Sequence, residues 1–410
     1  MRNLILINVL FITVSMGFGY SIQDTAEGWA SMNGGTTGGI GGEKVTVSTY
    51  EALKIETESV GKKIILVEKG TYKGDINPKS DKSILGIEPG VILDGMLYIA
   101  DKDEPVKNVI VRNIAVTNSQ KCGSYGDCKR GSDAVYIGLG AMNVWLDHVD
   151  ISDGQDGNCD VTRGADFVTV TWCKFWYSYA KAHAFSNLIA GSGGETESRG
   201  KLNITYAYGW WADNCQQRQP WGRFGKIHVL NNLYTSKRAK YCCASGKEMQ
   251  MLIENNVFNN SGKAYLKDGG DYKLIGNIGT NKHITGSQGN VFTPPYKLSL
   301  KMEASEVEAR VRAEAGNTLK LEETTILKKG KKQKSAIRQY TRHSETGLLL
   351  FNPTSSKLSL TVFTINGQTV LPTTYIEAGK SLQLPPVSSL VYIRVKGSNV
   401  KADGLYLPYK

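Results

Sequence analysis

The sequence predicts an all-β protein built as a right-handed parallel β-helix, a solenoid of short stacked strands, with a small C-terminal β module. Two observations carry this prediction. Between residues 43 and 296 a short apolar pattern returns at similar intervals, and after Pro294-Pro295 that pattern stops. The returning pattern indicates coils that bury one another's apolar faces, and its end indicates a second unit.

The first residues have the layout of a secretory signal peptide. Met1-Arg2-Asn3 precedes an apolar run at residues 4–12, and the small residues Gly17 and Gly19 follow. The run is too short for a comfortable membrane span. We therefore expect residues 1–21 to be removed and the remaining chain to be secreted, monomeric and without a membrane span.

The charge balance favours an acidic partner. The net charge is +11, and the isoelectric point is about 9.1. Charge alone does not separate polysaccharide, nucleic acid and membrane surface. Nucleic acid is the weaker option because the chain carries an export signal and no nucleic-acid-binding motif.

Seven cysteines in an exported chain permit disulfides and leave at least one thiol unpaired. Cys122 and Cys128 bracket a glycine-rich loop, so we expect a local disulfide between them. Five others stand without a CxxC pair or a histidine cluster, which argues against zinc; they are Cys159, Cys173, Cys215, Cys242 and Cys243.

Apolar-x-apolar triplets mark the repeat, and they begin at Val109, Val144, Val168, Ile204, Ile227 and Met251. Successive starts are 35, 24, 36, 23 and 24 residues apart, which is a unit of about two dozen residues with two insertions. Asn113, Asn231 and Asn255 recur at one place in the unit, so we expect amide side chains to hydrogen-bond along the stack at a turn. A sandwich or barrel would show hairpin turns instead.

Other segments flank the coils. Residues 34–42 are too rich in glycine for a helix or strand, and residues 50–61 favour a helix that caps the first coil. Residues 304–315 favour a second helix. We place the β-helix domain at residues 22–316, a basic linker at 317–346, and a β module with an Asn366-Gly367 hairpin turn at 347–410.

Three acidic residues are candidates for a metal site. Asp156 and Asp160 would lie about 13 Å apart on a straight strand, too far to share one calcium ion, but a bend at Gly157-Asn158 would bring them together. Asp133 comes one coil earlier, and equivalent positions on neighbouring coils stack about 4.8 Å apart. Alternatively, these are ordinary solvated acids in turns.

Three basic residues follow the acids. Pro220 lies between Arg218 and Arg223 and would fix a turn from which both guanidinium groups can bind carboxylates, whereas Lys181 alone is a weaker signal. Solvated side chains are the alternative for all three. His148 occupies the repeat position of Asn113 and is expected to belong to the turn stack rather than to act as a base.

The order of these motifs resembles the pectate lyase family of extracellular parallel β-helix enzymes. The resemblance covers roughly residues 26–316 and rests on VWLDH, DGNCDVTRGADFVTVTWCKF, Lys181 and RQPWGRFGKIHVLNNLY. It implies calcium-dependent β-elimination of polygalacturonate. Asp133, Asp156 and Asp160 match the family's metal ligands, Arg218 its proposed base, and Lys181 and Arg223 its substrate-binding positions. Gly131 stands where many members have a further acid.

The implied chemistry explains these residue types. The proton on C5 of a galacturonate becomes removable only if negative charge can spread into the adjacent carboxylate, which a divalent cation and nearby lysine and arginine side chains would stabilise. An arginine ordinarily holds its proton to a pH above about 12, so we expect an alkaline activity optimum.

Three other readings stay open. A pectin lyase would cleave methyl-esterified polymer without metal and would use more aromatic side chains. A hydrolase on this fold would need a carboxylic acid pair. A non-catalytic protein would bind acidic glycans without cutting them. The tail is loosely similar to C-terminal sorting modules that place proteins on bacterial surfaces, and an accessory or carbohydrate-binding role is the alternative.

Overall fold

The structure is a computed structural model, and it confirms the predicted parallel β-helix. It describes residues 19–118, 133–260, 262–280, 284–321, 341–344, 347–352, 357–364, 369–383, 391–397 and 400–406. The chain divides into two compact units, residues 1–324 and 325–410. The first unit contains the coils.

Three long sheets form the walls of the coils, and the chain passes from one sheet to the next in each turn. The seven-stranded sheet stacks Leu97–Ile99, Val135–Ile137, Cys159–Val161, Leu188–Ile189, Trp221–Gly222, Tyr241–Ser245 and Lys263–Lys267. The nine-stranded sheet stacks Gly70–Lys73, Val91–Asp94, Ala115–Thr117, Asp150–Ser152, Lys174–Trp176, Trp210–Trp211, Leu233–Tyr234, Val257–Phe258 and Ile278–Gly279.

The eleven-stranded sheet contains the predicted triplets in register, with Val109 opposite Val144 and Val144 opposite Val168. Its strands are Glu43–Val47, Lys63–Val67, Lys82–Gly86, Lys107–Arg112, Met142–Asp147, Asp166–Thr171, Asn203–Ala207, Lys226–Leu230, Gln250–Glu254, Asp271–Ile275 and Gly286–Gln288. All its pairings are parallel except the last, where Gly286–Gln288 runs antiparallel to its neighbour.

Alternate side chains of all three sheets fill one interior. Aromatic rings stack there along the coils, with centroids of Phe175 and Trp211, Trp211 and Tyr234, and Tyr234 and Phe258 separated by 4.8, 4.8 and 4.6 Å. Such offset stacks add to the burial of large apolar surface. Because each coil supplies about one ring, a single coil could not bury this surface alone.

The predicted turn position is confirmed. Asn113, His148, Asn231 and Asn255 all have φ near +50°, a conformation that asparagine tolerates better than most residues. His148 belongs to this stack: its ring lies 5.7 Å from that of Trp172, and its Nδ1 lies 2.9 Å from the Asp147 carboxylate. The adjacent position carries the amide ladder, in which Asn232 donates to Asn256 and Asn256 donates to Asn277.

Two helices lie against the coils. Helix α1 (Tyr50–Glu58) covers the first coil and buries Leu53. Thr49 is its N-cap residue, and the Thr49 hydroxyl accepts from the Ala52 N–H. Helix α2 (Ala304–Glu314) buries Val307 and Val311 beside the outer nine-stranded sheet. Short 3-10 helices span Gly28–Ser31 and Thr196–Ser198. In the described ranges no helix is long and apolar enough to cross a membrane.

Residues beyond both predicted ends of the β-helix domain, residues 22 and 316, also pack with the coils. Gly19–Tyr20 pairs in parallel with Lys320–Leu321. The ring of Tyr20 is buried and its hydroxyl donates to the Gly86 carbonyl at 2.6 Å. Tyr20 and residues 319–321 therefore pack with the coils, beyond the predicted bounds at residues 22 and 316, and the signal segment at residues 1–21 stays a prediction.

The second unit is antiparallel β structure. One sheet contains Thr341–Ser344, Gly347–Phe351 and Ser381–Gln383; the other contains Leu358–Thr364, Thr369–Ile376, Val391–Gly397 and Val400–Tyr406. The predicted strands after residue 347 are present. The Asn366-Gly367 turn lies outside the described residues, although the two strands that it joins pair antiparallel as expected.

The cysteine expectations have a mixed outcome. Cys122 and Cys128 lie outside the described residues. The five described cysteines, Cys159, Cys173, Cys215, Cys242 and Cys243, are buried free thiols that form no disulfide with one another. They act as small apolar side chains of the interior.

Candidate active site

The chain bends before the strand Cys159–Val161, where the sequence predicted a bend, and the charge of Asp156 acts on Asp160. The chain bends at residues 155, 156 and 158. The buried Asn158 side chain pins the bend, because it accepts from the Gly154 N–H at 3.2 Å and donates to the Trp176 carbonyl at 3.1 Å. The bend removes the separation that a straight strand would impose.

Gly157 lets the acids approach one another. A Cβ atom at this position would lie 2.7 Å from Asp160 Oδ1 and 3.1 Å from Asp133 Oδ1. Asp133 precedes a strand in which Val135 pairs with Cys159 and Tyr136 pairs with Asp160. We call Asp133, Asp156 and Asp160 the acid cluster.

Two members of the acid cluster are buried, Asp156 is half-buried, and their negative charges act on one another. Asp133 is 6% exposed and Asp160 is 7% exposed, and within the described residues Asp133 Oδ1 has no hydrogen-bond partner. Burial, and then the charges of Asp160 and Asp156, raise the pKa of Asp133 well above its usual range. Burial likewise raises the pKa of Asp160 to about 7. Buried acids that repel one another form a site that favours a cation.

Asp156 differs from the other two acids. His183 Nε2 lies 2.9 Å from Asp156 Oδ1 and donates to it, which lowers the pKa of Asp156. Sequence reasoning missed His183, which lies 27 residues beyond its partner in a segment without the repeat pattern. Among the described residues, no group of three His, Cys, Asp or Glu side chains is arranged so that it could hold a metal ion.

The three predicted basic residues lie in the connections that precede or follow strands of the seven-stranded sheet. Gly157, Phe185 and Gln217 form successive parallel bridges, so Arg218 lies about two coils, or roughly 10 Å, beyond the bend. The positive charge of Arg218 opposes the raised pKa of both Asp133 and Asp160. We call Lys181, Arg218 and Arg223 the cationic row.

Each member of the cationic row lies over an aromatic ring. Lys181 Nζ is 4.7 Å from the ring centroid of Tyr177. The guanidinium carbon of Arg218 is 4.5 Å from the centroid of Phe185. Trp221 contacts both arginines, at 5.2 Å for Arg218 and 4.3 Å for Arg223. Phe185 comes from the coil before Arg218, which the sequence could not show, whereas Tyr177 and Trp221 lie within four residues of their cations.

The other contacts of the row are with backbone. Lys181 Nζ donates to the carbonyls of Gly154 and Gln155 at 2.5 and 2.9 Å, and burial lowers its pKa to about 8. Arg223 donates to the Ala190 carbonyl at 3.1 Å. In the described part of the chain no carboxylate forms an ion pair with Lys181, Arg218 or Arg223, so their charges remain available to an anion.

Two other features of the coils are not part of this site. Trp211 is fully buried in the interior stack, and the Nε1 of Trp210 donates to Thr235 at 2.9 Å on the nine-stranded sheet. A groove of about 480 Å³ lies on the eleven-stranded sheet, lined by His228, Glu254 and Tyr296 among others, and contains neither acids nor cations of the predicted site.

A coiled wall that carries buried acids beside unneutralised cations defines a carbohydrate-active enzyme of the parallel β-helix class. A family model described as pectate lyase matches residues 12–305. The chain therefore belongs to the pectate lyase family and is a polysaccharide lyase.

Individual relatives agree with this membership. Pectate lyase A of Aspergillus niger is 34% identical over 314 residues, which cover 73% of this chain and 90% of that protein. Pectate trisaccharide-lyase of Thermotoga maritima is 36% identical over 248 residues, 57% of this chain and 63% of that protein. A pectate lyase from Bacillus sp. N165, solved in complex with trigalacturonate, shares the fold with a TM-score of 0.60 at 22% identity and covers 72% of this chain and 99% of that one.

Proposed function

We propose that the chain cleaves α-1,4-polygalacturonate by β-elimination, with Arg218 as the base and Lys181 and Arg223 as substrate-binding residues. One observation carries the proposal: the cations lie beside the acid cluster, where the charge of Arg218 acts on Asp133 and Asp160 and the charge of Lys181 acts on Asp156. A polymer of uronic acids supplies the carboxylates that such a row binds. The relatives named as pectate lyases support the same substrate.

We propose Ca²⁺ as the cofactor, held by Asp133, Asp156 and Asp160. The residues fit this ion because hard oxygen ligands suit calcium, and because Asp133 Oδ1 is buried without a partner in the described chain. When bound, the ion would add positive charge beside the carboxylate of the reacting sugar. Gly131, where many family members have an acid, lies outside the described residues.

The residues of the chain divide the reaction between them. Lys181 and Arg223 bind uronate carboxylates and so place a sugar over Arg218. Neutral Arg218 takes the proton from C5, the electron pair forms the C4–C5 double bond, and the C4–O bond breaks with the leaving oxygen taking a proton from solvent. The products are a new reducing end and a 4,5-unsaturated galacturonate end. Because a neutral arginine is required, turnover rises at alkaline pH.

The proposal is tested with purified protein on polygalacturonate, following the ultraviolet absorbance of the new double bond. We expect absorbance to rise with calcium, to stop with EDTA and to return when calcium is restored. Activity on methyl-esterified polymer that is unchanged by EDTA would instead indicate a pectin lyase. Chain shortening without absorbance would indicate hydrolysis, and binding without shortening would indicate a non-catalytic glycan-binding protein.

We also propose that the chain is exported and acts as a monomer, with residues 325–410 as a sorting or accessory module. Because Tyr20 is buried in the folded domain, export should remove no more than about the first 18 residues. Mass spectrometry of secreted protein should place the mature N-terminus at or before Gly19. Deletion of the module, with secretion and activity both measured, separates sorting from an accessory role.

A further inference from the structure

We propose that Trp221 is a positioning residue that fixes Arg218 and Arg223 relative to one another, and that Asp268 holds Trp221 in place for this task. The inference rests on the proposed function, since it assigns Trp221 a role in the elimination. Trp221 does not itself touch the reacting atoms in this account. It acts through the two arginines.

The contacts place one indole against two like charges. The guanidinium carbons of Arg218 and Arg223 lie 5.2 and 4.3 Å from the ring centroid of Trp221. Two guanidinium groups at one site repel each other and would separate into solvent if nothing held them. The electron-rich face of an indole attracts both cations, and so offsets this repulsion.

The indole holds the cations without neutralising them. A carboxylate in the same place would position an arginine equally well, but it would compete with the uronate of the substrate for the same N–H groups. An aromatic ring offers no such competition. In the described ranges Arg218 and Arg223 form no ion pair, and the Trp221 ring lies against both of them.

Trp221 is itself fixed from two directions. Its strand, Trp221–Gly222, pairs with Leu188–Ile189 on one side and with Ala244 and Ser245 on the other. Its indole Nε1 donates to the Asp268 carboxylate at 2.7 Å. Asp268 follows the strand Lys263–Lys267, two coils beyond Trp221. The hydrogen bond therefore sets the direction of the ring, while the strand pairing sets the position of the backbone.

The test compares Trp221→Leu with Trp221→Phe and Asp268→Ala, using initial rates on polygalacturonate. Trp221→Leu removes the ring face, and we expect kcat to fall by about 30-fold, since small displacements of reacting groups cost up to about 100-fold. Trp221→Phe keeps a ring face but loses the N–H that bonds Asp268, and Asp268→Ala keeps the indole but loses the same bond. Both should therefore fall between the wild type and Trp221→Leu, with kcat lowered by about 3- to 10-fold. KM should change less than kcat in each variant.

Trp210 is the matched control. It is half-buried on the nine-stranded sheet, lies 5.1 Å from both Lys174 Nζ and the guanidinium carbon of Arg312, and donates to Thr235. Trp210→Leu therefore removes a similar indole between two cations away from the site, and kcat should stay unchanged. Thermal unfolding of all variants shows whether each protein is folded. If Trp221→Leu does not fold, the kcat values of Asp268→Ala and Trp221→Phe relative to the wild type decide whether the inference holds.

Two results would overturn the inference while leaving the proposed function standing. Trp221→Leu could be folded and as active as the wild type, or Trp221→Phe could be as inactive as Trp221→Leu. A wild-type protein that forms no unsaturated product at any pH with calcium would instead remove the proposed function, and the inference with it.

Discussion

Asp160, proposed as a metal ligand, lowers the stability of the folded protein at alkaline pH. Its carboxylate is buried, and a pKa raised from 3.8 to about 7 means that the folded protein binds a proton more tightly than the unfolded chain. Its contribution to the stability of the metal-free protein is therefore complete below about pH 4 and is lost as pH rises through about 7. A cation in the site would reverse this loss.

Asp160→Asn tests that conclusion. The amide oxygen can still accept from the Leu188 N–H, which Asp160 Oδ1 accepts at 2.9 Å, while the buried charge disappears. With EDTA at pH 8, we expect the variant to unfold several degrees above the wild type, within an upper limit of about 4 kcal/mol. At pH 4 the two should unfold together. Equal unfolding temperatures at pH 8 would contradict the conclusion that the buried charge of Asp160 lowers stability.

Lys181 gives the substrate-binding step its own pH dependence. Burial lowers its pKa to about 8, so its charge disappears above that pH while the turnover by Arg218 increases. We expect KM for polygalacturonate to rise between about pH 8 and 10 as kcat also rises. Lys181→Arg should remove the rise in KM because an arginine stays charged. A KM that rises equally in both proteins would exclude Lys181 as its cause.

The aspartates and cations were predictable as residues, but their surroundings were not. Asp156 and Asp160 lie in one short motif with Gly157 between them, so the bend could be anticipated from residue types alone. His183 and Trp221 gained their roles through contacts with side chains from neighbouring coils, such as Asp156 and Asp268. No local pattern marks such pairs, because their separation depends on the lengths of inserted loops.

At the scale of the element, the turn between sheets is stabilised by buried amides. Asn256 accepts from the Asn232 N–H at 2.8 Å, donates to the Val229 carbonyl at 3.0 Å and donates to Asn277 at 2.9 Å, and it is fully buried. The repeat of asparagine predicted this ladder because the coil length keeps equivalent residues in one line. The sequence could not show that the ladder continues to Asn277.

Asn256→Ala should be costly. It leaves buried N–H and C=O groups of two neighbouring coils without partners, and we expect unfolding free energy to fall by about 2–4 kcal/mol. Asn290→Ala, at an exposed asparagine, is the control and should change it by less than about 0.5 kcal/mol. Chemical denaturation measures both. Equal effects would contradict the role of the ladder.

At the scale of the whole molecule, two short segments from the ends of the first unit, Gly19–Tyr20 and residues 317–321, pack against its coils. Leu319 is 3% exposed; its N–H donates to the Asn113 Oδ1 at 2.9 Å, and its carbonyl accepts from the Asn113 Nδ2 at 2.7 Å. The predicted boundary at residue 316 missed this contact because residues 317–321 lack the repeat. Asn113 supplies half of the contact, and its turn position was predicted, but no sequence pattern links it to a residue 206 positions away.

Two C-terminal truncations separate the role of the second unit from that of residues 317–321. Removal of residues 325–410 should leave kcat/KM within about 2-fold, because every proposed site residue lies in the first unit. Truncation after Gly316 also removes Leu319 and the strand Lys320–Leu321, and should lower the unfolding temperature by several degrees. If the shorter protein unfolds no earlier than the longer one, residues 317–321 are not part of the domain.

The central claim is that Arg218, set beside a calcium-binding acid cluster, removes a carbon-bound proton from a sugar acid. The most direct measurement is the rate of double-bond formation from polygalacturonate by wild type and Arg218→Lys, at alkaline pH with calcium, together with binding of the polymer to each. We expect turnover to fall by about 100-fold or more while binding is largely kept. An Arg218→Lys variant that turns over like the wild type would contradict the claim.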